Sequence, residues 1–428
     1  IVDQIFIANA SYLGSYGNAA NTVVFPLTVV ALAIAVMVGD GCCAFVSMAL
    51  GRSEIGKAKR SVGNAVVLSV AGGLVLTAVY LVFADSIIAM FGGTVNEETF
   101  RCSQEYFFYI TLGIPFYMFG QAMNPIIRAD GNPKFAMVST LAGAVVNIIL
   151  DPIMIYGLLG IPEMGIVGAA LATVIGQVVS CVLAVIFHFR LIKEIDSGWR
   201  YIKPSGSVIG KIYSIGLPAI IAQALMSVMT YGLNLILVQI SENAVTAYGL
   251  YYKIQQFILF AAFGLRDAIT PIVSFGYGMG SRERVKLGIK YGMLYTLIIM
   301  AAGLVLLEIF AQPFAALFGL SGETEQLCVS AMRVISLSFI FAGANVAFQG
   351  IFQALESGVQ SLVISVCRQI LFVLPVAWGF SLIVKNSGST DMMWLVWLTF
   401  LIAEGLSAVI AVILMTGISR RRISTLGN

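Results

Sequence analysis

The chain of 428 residues carries few charges: 11% of its residues are Asp, Glu, Lys or Arg, and 59% are hydrophobic. In soluble domains about a quarter of all residues are charged, so this composition excludes an ordinary water-soluble protein and favours one embedded in lipid. The one histidine and six scattered cysteines exclude a multi-histidine metal site and show no metal-ligand spacing. The basic residues flank apolar runs, as membrane topology requires, so we expect no nucleic-acid partner.

Twelve apolar runs follow one another, and all but the first are long enough for a spanning helix of about 20 residues. They lie at residues 1–9, 19–48, 61–83, 106–127, 136–158, 166–189, 213–239, 247–275, 291–312, 333–354, 361–384 and 393–416. The sequence starts at Ile1 inside an apolar stretch, and we expect the missing N-terminal residues to hold the rest of the first span. The pattern predicts an all-α polytopic membrane protein with twelve transmembrane helices.

Lys and Arg concentrate in alternate connections between these runs. One set lies in residues 52–60, 128–134, 190–211, 282–290 and 420–422, whereas the opposite set holds only Arg101, Arg333 and Lys385. Cytoplasmic connections are the ones rich in Lys and Arg. We therefore predict a multi-pass protein of the bacterial inner (cytoplasmic) membrane, with both termini cytoplasmic.

The chain also repeats itself. Asp40, Val46-Ser47 and Gly51 recur 227 residues later as Asp267, Val273-Ser274 and Gly278. Each half then has six spans in the same orientation, which predicts two six-helix lobes related by a pseudo-two-fold axis along the membrane normal. The predicted domains are an N-terminal lobe at 1–189, a cytoplasmic linker at 190–212, a C-terminal lobe at 213–416 and a basic cytoplasmic tail at 417–428.

Asn147 and Asp151 stand four residues apart in the fifth apolar run, in the segment Val146-Asn147-Ile148-Ile149-Leu150-Asp151-Pro152. That spacing places both side chains on one helical face. Their oxygens suit Na⁺, and a carboxylate of raised pKa suits H⁺. The alternative is a hydrogen-bonded pair that only holds helices together. By pattern alone, Thr173 is a packing position and Asp3 could be interfacial.

The second half carries charges of both signs. Arg368 and Glu404 are predicted to form a buried ion pair, which is either a structural network or a second proton site or substrate contact. Asp40 and Asp267 lie in the cytoplasmic thirds of their spans and could close a gate by pairing with Lys or Arg. Further candidates for the substrate cavity are Tyr117, beside Gly113-Ile114-Pro115, and Gln177, which falls opposite Glu404 in the repeat.

Several segments resemble the multidrug and toxic compound extrusion (MATE) family, of the multidrug/oligosaccharidyl-lipid/polysaccharide flippase superfamily. The similar segments are Val2-Asp3-Gln4-Ile5-Phe6, Val146 to Pro152, Gly165-Ile166-Val167-Gly168-Ala169-Ala170-Leu171-Ala172-Thr173, Arg128-Ala129-Asp130-Gly131-Asn132-Pro133-Lys134 and Gly216-Leu217-Pro218. Gly39-Asp40-Gly41 and Ala403-Glu404 are similar to its bacterial branch. The resemblance covers essentially the whole chain.

The resemblance implies a cation-coupled antiporter, not an enzyme, that exports amphipathic, often cationic drugs or metabolites by alternating access. It implies a Na⁺ or H⁺ site in the first lobe made of Asp3, Asn147, Asp151 and Thr173, with the Ala169 carbonyl. No cofactor is expected besides this coupling ion. The expected partners are small amphipathic substrates and membrane lipid, and the expected state is a monomer. Some members couple through a glutamate in the seventh span, where this chain has Gln223 as its main polar residue.

Two other transporter classes share the two-lobe plan. A flippase for lipid-linked precursors, from the same superfamily, would need a cationic cavity, for which Lys253, Arg266 and Arg368 are candidates. A major-facilitator transporter would carry Gly-x-x-x-Asp-Arg-x-Gly-Arg between its second and third spans, but residues 51–60 lack that aspartate. No segment shows the loop acids or histidines expected of a membrane-embedded transferase.

Overall fold

The protein is seen in a computed structural model, which describes residues 6, 7, 9, 10, 13–91, 93–191, 201–317, 322–388 and 390–427. Over these residues the regular structure is helical, apart from one isolated bridge between Ser281 and Gly427. Helices are expected because lipid offers no partners to backbone N–H and C=O groups, so each span satisfies its own. Asp3 lies outside the described residues.

The chain divides into two compact units. The first comprises residues 1–46 and 54–216, and the second comprises residues 47–53 and 217–428. The helices that make up most of the first unit are α1 (Gly14–Gly51), α2 (Ile55–Val82), α3 (Ala84–Met90), α4 (Glu97–Ala129), α5 (Pro133–Tyr156) and α6 (Gly165–Ile186). Helix α7 (Gly206–Val238) begins inside the segment predicted as a linker and leads into the second unit.

The second unit continues with seven α-helices and ends in a π-helical turn. These elements are α8 (Glu242–Gly278), α9 (Arg282–Leu317), α10 (Gly322–Ser336), α11 (Phe339–Ala354), α12 (Gly358–Val366), α13 (Val373–Ser387), α14 (Trp394–Ile418) and a closing π-helical turn at Ser419–Ile423. Its core is rich in aromatic rings: Tyr248 stacks on Trp397 and on Phe400, with ring centroids 6.2 and 6.1 Å apart. Stacked aromatic residues give this unit a rigid interior.

Within the described residues, nine helical stretches are long and apolar enough to span a membrane, and α10 with α11 forms a tenth candidate that bends by 54°. Helix α4, with 33 residues, has the length of a span but is more polar. These stretches coincide with the predicted apolar runs. The bend falls where the hydroxyls of Ser336 and Ser338 bond back to the carbonyls of Arg333 and Ile335 at 2.8 and 2.7 Å, a pattern that bends helices.

One predicted span contains an irregularity that the sequence did not predict. Between α12 and α13 the chain makes a π-helical turn at Cys367–Leu371, closed by the Phe372 N–H donating to the Cys367 carbonyl at 3.0 Å. Pro375 follows in the first turn of α13 and lacks the N–H that would bond the Leu371 carbonyl. Such turns are common at functional sites, and this one carries Arg368.

Candidate cation and substrate site

The predicted pair Asn147 and Asp151 lies on α5 in the first unit. Asp151 is fully buried, and the Asn147 side-chain amide donates to its Oδ1 at 3.2 Å. Pro152 follows directly and has no N–H, so the Ile148 carbonyl loses its usual helical donor. A carboxylate, an amide and a backbone carbonyl therefore share one stretch of α5.

Helix α6 adds the third predicted side chain. The Asn147 amide nitrogen lies 3.4 Å from the Thr173 hydroxyl oxygen, so the structure brings Asn147, Asp151 and Thr173 together. Ala169, which precedes Thr173 by one turn, is fully buried. The fourth predicted side chain, Asp3, lies outside the described residues.

Two glycines explain why α5 and α6 come this close. A Cβ atom on Gly143 would lie 2.6 Å from the Gly176 carbonyl oxygen, and a Cβ on Gly176 would lie 2.6 Å from the Gly143 carbonyl oxygen. Small residues at such crossings let two membrane helices meet backbone to backbone. A Cβ on Gly176 would also lie 3.0 Å from the Asn147 Cβ. The lack of a side chain at Gly176 therefore allows Asn147 to lie close to α6.

A cavity of about 150 Å³, lined in part by Asn147 and Thr173, opens between α4, α5 and α6. It has room for a few waters at about 30 Å³ each but is smaller than a drug-sized pocket of about 300 Å³ or more. Its walls include Tyr117, Asn147, Thr173 and Gln177. The Gln177 side-chain oxygen is buried with no hydrogen-bond partner among the described residues.

The second unit has its own buried polar centre. The Arg368 guanidinium donates to Glu404 from Nη2 at 2.6 Å and from Nε at 3.0 Å, and both residues are 8% exposed. The predicted ion pair is therefore confirmed. Asn345 on α11 adds a hydrogen bond to Glu404 Oε2 at 2.7 Å. Sequence reasoning missed Asn345, because it looked for charges and this amide lies in an apolar run.

The remaining candidates lie apart from these two centres. Asp267 on α8 accepts from its neighbour Arg266, at 2.7 Å from Nη2 and 3.0 Å from Nε. Asp40 is half-buried on α1, and Gln223 is exposed on α7. Among the described residues, no three His, Cys, Asp or Glu side chains gather as metal ligands, so a cation site there has to draw on amide, hydroxyl and carbonyl oxygens.

Long apolar helices that carry buried polar centres are typical of polytopic membrane proteins with a functional site inside the membrane. The MatE family profile matches residues 1–153 and 218–378 of this chain. The chain therefore belongs to the MatE family, a family of transporters, and the resemblance read from its motifs is confirmed.

Relatives match over nearly the whole chain. The multidrug export protein MepA of Staphylococcus aureus (strain MRSA252) is 25% identical over 415 residues, which cover 96% of this chain and 88% of that protein. MepA of Staphylococcus haemolyticus (strain JCSC1435) is 25% identical over 421 residues, covering 97% and 89%.

Solved structures match the fold. An outward-facing multidrug resistance MATE family transporter of the MOP superfamily superimposes with a TM-score of 0.87 at 25% identity, over 100% of this chain and 91% of that one. A MATE structure in the straight conformation gives 0.88 at 25%, over 99% and 91%. A MOP superfamily transporter from Pyrococcus furiosus, described as having a binding pocket of reverse polarity, gives 0.87 at 25%, over 99% and 91%. The fold is the all-α membrane fold of these neighbours, with twelve transmembrane helices in two lobes.

Proposed function

We propose that this protein is a cation-coupled antiporter that exports amphipathic, often cationic compounds from the cell. The observation that carries the proposal is the cluster of the fully buried Asp151 with the half-buried Asn147 and Thr173 in the first unit. A carboxylate inside a span is costly unless it serves an ion or a partner. The MepA relatives are named multidrug export proteins, which supports the export of drugs.

Asp151 is the group that takes the coupling ion, and its neighbours bear on which ion it takes. The Asn147 NH₂ group donates to both Asp151 and Thr173. A sodium ion needs oxygen ligands, so Na⁺ binding requires the Asn147 amide to turn over and present its oxygen. A proton binds Asp151 without that rotation.

Cation and substrate transport are coupled because the two ligands bind in turn, each to a different state of the protein. A cation that enters from outside neutralises Asp151, and the protein then changes to a state open to the cytoplasm, where the cation leaves and a substrate binds. A ligand shifts such an equilibrium only by its differential affinity for the two states. The cation and the substrate must therefore each prefer a different state, and the burial of Asp151 is what makes the cation's preference strong.

We place the protein in the bacterial inner membrane with both termini in the cytoplasm, because Lys and Arg are concentrated in the connections on that side. The flippase alternative needs unpaired cations for an anionic lipid. Two of its three candidates are neutralised, since Arg368 pairs with Glu404 and Arg266 pairs with Asp267. The geometry therefore favours the exporter over the flippase.

The test is efflux of a fluorescent cationic dye from energised vesicles, with Na⁺ and pH gradients imposed separately. Asp151→Asn is expected to reduce gradient-driven efflux to background, and Glu98→Gln, an exposed acid paired with Arg101, is the matched control and is expected to transport normally. Efflux driven by Na⁺ alone identifies Na⁺ as the coupling ion, and efflux driven by pH alone identifies H⁺. Gradient-driven efflux that survives Asp151→Asn would disprove coupling at this site.

A further inference from the structure

The C-terminal end of the described chain is held in place. After α14, the π-helical turn leads into residues 424–427, and the Arg282 N–H donates to the Gly427 carbonyl at 3.0 Å. Ile423 is 2% exposed and belongs to a hydrophobic core cluster of the second unit, and Leu426 packs against that cluster. Residues 419–427, called the strap below, are therefore fixed to the beginning of α9.

The three arginines of the strap face in different directions. Arg422 turns inward, where its guanidinium donates to the Leu355 carbonyl and lies 3.9 Å from the Glu356 carboxylate. Arg420 and Arg421 are exposed. The topology rule requires only that basic residues be present near the membrane. It does not require that the chain carrying them be anchored, so their fixed position needs another reason.

The exposed face of α9 shows where the membrane surface lies. Going towards the beginning of the helix, the exposed side chains include Ile298, Tyr295, Leu294, Tyr291, Lys290 and Leu287, so tyrosines stand between the aliphatic part of this face and its first lysine. Tyrosines are enriched at the boundary between hydrocarbon and headgroups. The first two turns of α9 therefore lie at headgroup level.

Helix α14 reaches the same level at its other end. Leu406, Val409 and Ile413 form an exposed apolar stripe, and the exposed positions continue through Thr416 to Arg420. The strap ties the end of this helix to the beginning of α9. Two lipid-facing stripes thus end in basic residues that the backbone holds in one region.

The charge of this region is strongly positive. Its basic residues are Arg282, Arg284, Lys286, Lys290, Arg420, Arg421 and Arg422, against the two acids Glu283 and Glu356. The exposed guanidinium groups of Arg420 and Arg421, at headgroup depth, match the phosphate of an anionic lipid.

We propose that the strap and the beginning of α9 form a binding site for an anionic phospholipid of the cytoplasmic leaflet, with Arg420 and Arg421 contacting its headgroup. The site is separate from cation coupling, and it rests only on the proposed orientation. A bound lipid bridges α9 and α14 and so stabilises this end of the second unit.

The experiment titrates phosphatidylglycerol into the purified full-length protein in neutral detergent and follows thermal unfolding, with phosphatidylcholine and inorganic phosphate as comparison ligands. Phosphatidylglycerol is expected to raise Tm in a saturable manner, as a ligand of the folded state does. The double variant Arg420→Gln/Arg421→Gln is expected to bind it roughly thirtyfold more weakly, because each surface arginine contributes about fivefold. The charge-preserving variant Arg420→Lys/Arg421→Lys is expected to retain most of the binding.

Two controls separate the site from general effects. Arg422→Gln removes the inward contacts and is expected to lower Tm without any lipid. Arg60→Gln/Lys134→Gln removes two exposed cations of the first unit and is expected to leave phosphatidylglycerol binding unchanged. Equal loss in this control and in the strap variant would reduce the effect to diffuse surface charge and overturn the proposal.

Other outcomes also overturn it. If inorganic phosphate stabilises the protein as well as phosphatidylglycerol does, the ligand is free phosphate. If Arg420→Gln/Arg421→Gln binds phosphatidylglycerol like the parent, the strap arginines are not the site. A protease that cuts the tail of the protein in sealed, right-side-out vesicles would show that the tail faces outward, which refutes the leaflet assignment independently of transport.

Discussion

Among the described residues, two carboxylates lie buried in membrane-spanning helices, one in each unit, and they are held in different ways. Asp151 receives a hydrogen bond from the Asn147 amide at 3.2 Å, whereas Glu404 receives the Arg368 guanidinium at 2.6 Å together with Asn345 at 2.7 Å. An amide donates without neutralising a carboxylate, but a guanidinium neutralises it permanently, because arginine does not lose its proton in proteins.

That difference separates two functions that a buried acid can have. At the first centre the Asn147 donor is an uncharged amide, so a mobile cation can add positive charge there and can leave again. At the second centre the compensating charge is part of the chain, so a Na⁺ ion or a proton would have to compete with Arg368. The first centre is therefore suited to coupling, and the second to holding α11, α14 and the π-helical turn in register.

The largest effect is expected from breaking the second centre. Arg368→Leu leaves Glu404 buried without its counter-charge and should destabilise the protein by about 3–5 kcal/mol. Thermal or denaturant unfolding in detergent measures this. The double variant Arg368→Met/Glu404→Leu removes both charges and should recover most of the stability. If the single variant is as stable as the parent, the pair is not a buried structural pair.

The positions of the spans could be predicted from the sequence, because lipid requires long apolar runs and cytoplasmic connections collect Lys and Arg. The breaks inside the spans could not. The 54° bend between α10 and α11 depends on where the hydroxyls of Ser336 and Ser338 find acceptors. The π-helical turn carries Arg368, whose partner Glu404 lies on another helix, and neither the hydroxyl contacts nor this pairing leaves a periodic signal.

Only part of the candidate site could be predicted from the sequence, because some of its contacts also leave no signal there. The four-residue spacing identified Asn147 and Asp151 from the sequence alone, and Thr173 came from the family resemblance. The contact between Gly143 and Gly176 was not predicted, because the chain has 43 glycines and only the folded structure shows which of them touch. Asn345 was missed because an uncharged amide in an apolar run does not stand out.

The glycine contact offers the next largest effect, this time at the first centre. Gly176→Ala puts a methyl group 2.6 Å from the Gly143 carbonyl oxygen, so α5 and α6 must separate, at an expected destabilisation of about 1–3 kcal/mol. Gly249→Ala on α8, where a Cβ meets nothing within 4 Å, is the matched control and should be neutral or slightly stabilising. Unfolding experiments on both variants give the comparison. Equal stability of the two would mean that the helices are not in contact at Gly176.

Neutralising the first carboxylate should have a smaller effect on stability than breaking the second centre. Asp151→Asn keeps the shape and a hydrogen bond to Asn147, and polar contacts inside membranes average about 0.6 kcal/mol. We therefore expect the free energy of unfolding to change by less than about 1 kcal/mol, although gradient-driven efflux is lost. A loss of stability as large as that of Arg368→Leu would mean that Asp151 is a structural residue and would remove the contrast between the two centres.

The smallest effect on transport is expected at Thr173, and it distinguishes the two coupling ions. Thr173→Val keeps the side-chain shape but removes the hydroxyl oxygen that lies 3.4 Å from the Asn147 amide nitrogen. A Na⁺ ion loses one ligand, so the Na⁺ concentration for half-maximal efflux should rise roughly fivefold, equivalent to about 1 kcal/mol. A proton bound to Asp151 needs no such ligand, so pH-driven efflux should be almost unchanged. Thr173→Ser restores the oxygen and should restore the Na⁺ response, and a valine variant with an unaltered Na⁺ response would exclude Thr173 from the site.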